Sequence, residues 1–188
     1  MKKMLPLLLL MLGFSTYAQT ESETEMLKKL KLMHYLDDAA MQSYATGSII
    51  GFYKNVFNDN PVPEISVNEY LGVTEPPQNA GQFVYTVNYR NAEALMKIIQ
   101  ENGYPSFDRI RALTGQKNVC SAAVFMHRAT PEQKKQFRKI AKDEFKKGNM
   151  SEQEYNLCMK FIKTDNVLTA SQVLKFNAEM QELAMKTN

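Results

Sequence analysis

Two four-residue strings constrain this chain more than anything else in it: Thr130-Pro131-Glu132-Gln133 and Ser151-Glu152-Gln153-Glu154. In each, the hydroxyl at the first position can accept the backbone N–H three residues on, while the Gln or Glu there reaches back to the first amide. Two of the donors that a helix start leaves unbonded are satisfied in this way. Pro131 suits the first helical position, where its missing N–H costs nothing. Apolar residues then recur at three and four: Phe137, Ile140, Ala141 and Phe145 after the first box, Tyr155, Cys158, Phe161 and Ile162 after the second. Gly148 stops the first run, and the short turn behind it predicts an antiparallel helical hairpin.

The same period governs most of the chain. Residues 22–46 read as one long helix, with Met26, Leu27, Leu30, Met33, Leu36 or Asp37, Ala40, Met41 and Tyr44 on one face and Gly47 as terminator. A short apolar piece, Ile49 to Phe57, is a candidate for another helix. Residues 58–82 carry Pro61, Pro63, Pro76 and Pro77 and read as an irregular connector. Phe83 to Val87 is the best strand candidate. Asn91 is placed to cap a helix through Asn102, with Leu95, Ile98 and Ile99 inward, and Gly103 and Pro105 forbid its continuation. An apolar helix is expected from Asn118 to about Ala129, and a last one from Ser171 to Met185 with Leu174 and Ala178 inward. The fold class is mainly α: a single bundle-like domain over 19–188, of about five to six helices.

The first eighteen residues have a different character. Lys2 and Lys3 precede an apolar run from Leu5 to Phe14, and Ala18 offers the small residue a signal peptidase cuts after. The run is short of the roughly 20 apolar residues a spanning helix needs. A cleaved signal peptide over 1–18 is expected, hence a periplasmic or secreted protein with no stable membrane anchor after cleavage. The 23 basic residues less Lys2 and Lys3 leave 21 against 20 acidic ones, a net charge of +1. The lysine-rich stretch from Lys134 to Lys147 is broken by Asp143 and Glu144 and lacks interleaved aromatics. It reads as a solvated helix face, and no nucleic-acid partner is expected.

An oxidising compartment makes Cys120 and Cys158 a disulfide candidate, with two buried thiols as the alternative. A bridge closing a loop of about 39 residues would stabilise the fold by roughly 3 to 4 kcal/mol. Two histidines alone exclude a multi-histidine zinc site, and no phosphate-cradling glycine loop or paired-cysteine metal motif is present. No metal or cofactor is expected. His127 ends an apolar helix, where the dipole favours an imidazolium. His34 and Asp38 are spaced to meet on one helix face, as an ion pair, a metal pair or two residues of a solvated face. Asp165 opposes the dipole late in its helix, which suggests that a group such as His127 holds it.

Asn91 to Pro105, with its Gly103-Tyr104-Pro105 ending, resembles the signature of an uncharacterised bacterial family, domain-of-unknown-function family 6624. That family follows a helix ending in Gly-Trp-Pro with an apolar helix closing on Gln-His-Ala-Asp and then with an Asp-Arg-Val segment. Ala122 to Met126 with His127, Arg128 and Ala129 resemble the second element, and Thr164 to Leu168 the third. The likeness covers roughly residues 91–170. Tyr104 replaces the tryptophan, Thr130 an acidic residue and Asn166 an arginine, while the family's closing Tyr-Gly-Thr-Gln motif is missing. The Asp of the family's first helix falls near Asp38, without its Arg. The resemblance implies candidate positions at His127 and Asp165 and a member lacking the family's arginines.

Two functions are expected from these residues. The first is a non-catalytic module that binds a protein or small-molecule ligand, with Tyr104, Asp38 and His34 as candidate contacts. The alternative is a hydrolase-like enzyme in which His127 acts as general base and Asp165 orients it.

Overall fold

The computed structural model describes residues 20–47, 56, 59–75, 77–116, 119 and 121–164. The expected signal peptide, Cys120, Asp165 and the expected last helix lie outside them. Among the described residues there are seven helices and no strand. They are α1 (Glu21–Thr46), α2 (Val67–Leu71), α3 (Ala80–Asn102), α4 (Phe107–Thr114), α5 (Ala123–His127), α6 (Pro131–Lys146) and α7 (Glu152–Lys163). No helix among them is long and apolar enough to cross a membrane.

Both capping boxes form as read, at Thr130/Gln133 and Ser151/Glu154, and a third, Thr20/Glu23, starts α1. Helices α6 and α7 run antiparallel. Phe145 stacks on Tyr155 at 4.6 Å at one end, and Lys134 Nζ donates to the Thr164 carbonyl at 2.7 Å at the other. Helices α1 and α3 also run antiparallel, since Ser22 bonds Asn102 while Asn91 bonds the Met33 carbonyl.

Four expectations are corrected here. Phe83 to Val87 is the first part of α3 and no strand. Its aromatic and β-branched residues suit a strand, but Phe83, Val87, Asn91 and Leu95 recur every four residues and are all buried on one helix face. The cap of α3 is therefore Asn79, and Asn91 lies inside the helix, accepting Tyr70 Oη–H at 2.7 Å and donating to Met33. Among its described residues, the apolar segment before Ala129 is helical over Ala123–His127, where Ser121 Oγ accepts the Ala123 amide. The connector also has structure of its own. Asn60 brackets Val62 and Ile65, Ser66 caps α2, and Val62, Val67 and Leu71 are buried.

The long α1–α3 pair serves two apolar cores. Leu32, Leu36 and Ala39 of α1 meet Phe83 and Val87 of α3 and the α2 residues in the smaller one. Met26, Leu30 and Met33 meet Leu95, Ile98 and the buried faces of α4 to α7 in the larger one. Burying each such side chain contributes about 1.5–3 kcal/mol, so the α1–α3 register is firmly held. That register brings the middle of α1 to α5.

Candidate functional site

Two buried polar centres stand out, and they are built in opposite ways. The first surrounds Gly103-Tyr104-Pro105. Gly103 adopts φ 76°, a left-handed conformation that favours glycine, and its amide closes on the Ile99 carbonyl. A Cβ there would meet Asn149 Nδ2 at 3.3 Å. The Tyr104 amide donates to Glu144 at 3.0 Å, and the Phe107 amide donates to Glu154 at 2.8 Å. Glu144 also accepts Asn149 Nδ2 and Lys147 Nζ, both at 2.7 Å. These donors hold its pKa below the usual carboxylate value although burial pushes the other way. Glu154 accepts the amide and hydroxyl of Ser151 as well, yet burial dominates and raises it.

Tyr104, expected on the wall of a cleft, belongs to this turn. It is only 2% exposed, and its hydroxyl lies 3.5 Å from Cys158 Sγ. Burial pushes the Cys158 thiol up to about 12. Cys158 is a free thiol, and its expected partner Cys120 falls outside the described residues.

The second centre lies where α1 meets α5. Arg128, directly after His127, donates from Nη1 to Asp37 Oδ1 on α1, and both side chains are almost fully buried. The sequence pattern had left position 37 as an alternative to Leu36 on the inner stripe, and α1 turns both inward. Burial pushes Asp37 up to about 6, the Arg128 charge pulls it down, and Asp38 adds a smaller upward push. Asp38 itself sits at the surface, with a carboxyl raised by partial burial against the pull of Arg128.

His34 packs its ring on Phe125 with centroids 4.7 Å apart. Burial, then the Arg128 charge, depress it to about 4. His127 is 7% exposed and sets its ring edge on Phe161 at 5.5 Å. It is also depressed to about 4, first by burial and then by the Lys134 charge. A hydrogen bond to the Phe161 backbone opposes this, and Arg128 depresses it a little further. His127 Nδ1 has no hydrogen-bond partner. That nitrogen is buried, and no described residue faces it with a hydrogen-bonding group.

Of the residues singled out in the sequence, His34, Asp38 and His127 thus feel the charge of one guanidinium, while Tyr104 sits in the other centre. Asp37, Arg128 and Lys134 were not singled out. The only sequence signals for them were an acidic residue at an inward position of α1 and a base next to His127. No group of three or more His, Cys, Asp or Glu among the described residues is arranged to hold a metal ion. Searches of family models, curated proteins and solved structures give no match to this chain.

Proposed function

We propose that this chain is an exported helical protein that holds a ligand at the Arg128 centre without transforming it. The observation that carries the reading is the buried Arg128–Asp37 ion pair that joins the end of α5 to α1, whose charge also acts on His34, Asp38 and His127. A cluster of buried titratable groups around one specific charge partner is a physical ground for a functional site. Their state argues for binding over catalysis. Asp37 is committed to Arg128, and both histidines are neutral with pKa values near 4, far from the value an efficient general base needs at neutral pH. The resemblance to family 6624 supports the same places, because His127 is one of its candidate positions, with Asp165, and the Asp of its first helix falls near Asp38. The first eighteen residues support export.

One observation favours the hydrolase-like reading with Asp165 as orienting group: the buried Nδ1 of His127, which has no hydrogen-bond partner among the described residues. Screening the purified protein against ester, amide and phosphomonoester substrates between pH 5 and pH 9 separates the two. The binding reading expects ligands that move the imidazole NMR signals and no turnover. Turnover that disappears in both His127→Ala and Asp165→Asn overturns it.

A further inference from the structure

Helix α6 carries on its solvent side a row of five exposed cations, Lys135, Arg138, Lys139, Lys142 and Lys146. Their steps of three and four place them within an arc of about 100°, along about 16 Å of helix. In the sequence Asp143 and Glu144 interrupt this stretch. In the fold Glu144 leaves the surface: it is buried and spent on the Tyr104 amide, Asn149 and Lys147. Among the described residues none of the five cations forms an ion pair, although Glu132 and Asp143 stand on the same helix. Elsewhere Arg90 is paired with Glu93, Lys97 with Glu101 and Arg109 with Glu23. Like charges four residues apart, as in Lys135–Lys139, Arg138–Lys142 and Lys142–Lys146, destabilise a helix. The row is therefore kept against the stability of α6.

One end of the row carries a second feature. Phe145, between Lys142 and Lys146, is 37% exposed and stacks on Tyr155 of α7. Ammonium groups on long apolar stems, beside an aromatic edge left in water, make up a surface that lies at a lipid headgroup layer. Nucleic acid is gripped by planar guanidinium forks and by aromatics set between the charges. Four of the five cations here are lysines, compact point charges, and no aromatic interrupts the row before Phe145. A straight row of point charges can place all of them on one anionic plane at once.

We propose that this face of α6 is a membrane-docking surface, lying reversibly on anionic phospholipid headgroups with Phe145 at the interface. The contact is peripheral, since no described helix is long and apolar enough to cross. The surface is separate from the buried Arg128 centre, and the binding reading above does not depend on it.

The test is cosedimentation of the chain from Gln19 with vesicles of phosphatidylcholine alone or with about a third phosphatidylglycerol, at low and high salt. Binding is expected on the anionic vesicles only, and it should fall steeply as salt rises. Lys139→Gln with Lys142→Gln should weaken it about twentyfold, about fivefold for each basic side chain removed from an anionic surface. Lys29→Gln with Lys31→Gln, the same change of net charge on α1, should alter it less than twofold. Phe145→Ser, with an unchanged circular-dichroism spectrum, should weaken the vesicle contact and leave binding to heparin as it was. Equal binding to the two kinds of vesicle, or to neither, overturns the proposal. An equal loss in the α1 pair also overturns it, because net charge alone then explains the contact. Tighter binding to heparin or duplex DNA than to vesicles at the same salt, with vesicle binding indifferent to Phe145→Ser, replaces the membrane with a soluble polyanion.

Discussion

The Glu144–Glu154 turn and the Arg128 centre bury comparable amounts of polar chemistry, and they differ in what satisfies it. At the turn, carboxylates meet backbone amides, an Asn amide and a lysine, several donors to each acid. At Arg128, charge meets charge once, and burial holds the two histidines neutral. A carboxylate that accepts several N–H donors in place gains stability from each, and it fixes a backbone path. An ion pair out of water recovers little more than the desolvation it costs. The first arrangement is what a fold needs at a strained corner. The second is retained where something other than stability is selected.

The largest expected effect follows from that difference. Arg128→Met leaves Asp37 buried without its cation, and Asp37→Leu leaves Arg128 without its anion. Each should cost about 3–5 kcal/mol in urea unfolding. The double variant Asp37→Leu with Arg128→Met should recover most of that loss, because apolar side chains fill the same space without desolvating charges. No pair of substitutions can do this at Glu144, whose partner is the Tyr104 main chain. If the double variant is as unstable as the singles, Arg128 has structural partners beyond Asp37 and the contrast fails.

Acid sharpens the contrast next. His34 and His127 are held near 4 in the fold against an ordinary value of 6.5, so the unfolded chain binds protons more readily. Their contribution is complete above pH 6.5 and drains away as pH falls toward 4, about 1–2 kcal/mol for each by pH 5. Asp37 works in the opposite sense. Raised from 3.8 to about 6, it favours the fold as pH falls through 6, returning about 1 kcal/mol over the same interval. The net expectation is a falling melting temperature from pH 7 to pH 5, with a clearly shallower slope in His127→Gln. An equal slope in that variant would place the acid sensitivity elsewhere.

The two centres were also unequally legible in the sequence. The turn announces itself locally: Gly103 and Pro105 flank Tyr104, and the capping box that supplies Glu154 is contiguous. What could not be read is that Glu144, inside a lysine-rich stretch, turns inward to accept the Tyr104 amide. The Arg128 centre is non-local throughout, since Arg128 and Asp37 are 91 positions apart and meet only because α1 docks on α5. His34, Asp38 and His127 were noticed by residue type, but Arg128 entered only as a neighbour of His127 in the family resemblance. Phe83 to Val87 misled for a related reason. Five consecutive strand-forming residues outweigh their own fourfold spacing until α1 and α2 are present to cover Phe83 and Val87.

The smallest effects test whether the turn is as saturated as it looks. Glu144→Gln keeps an acceptor for the Tyr104 amide and loses the charge that faces Lys147, so it should cost less than Glu144→Ala. The alanine variant strands a buried N–H, at about 1–3 kcal/mol. Tyr104→Phe should cost least, about 1 kcal/mol or less. Its hydroxyl meets the Cys158 sulfur at 3.5 Å, a weak partner, and the Ser121 side chain, while the ring goes on filling the larger core. Urea midpoints for the three variants should fall in that order. Should Tyr104→Phe prove as damaging as Glu144→Ala, the Tyr104 hydroxyl is a polar anchor in its own right, and the turn would depend, like the Arg128 centre, on a single buried polar contact.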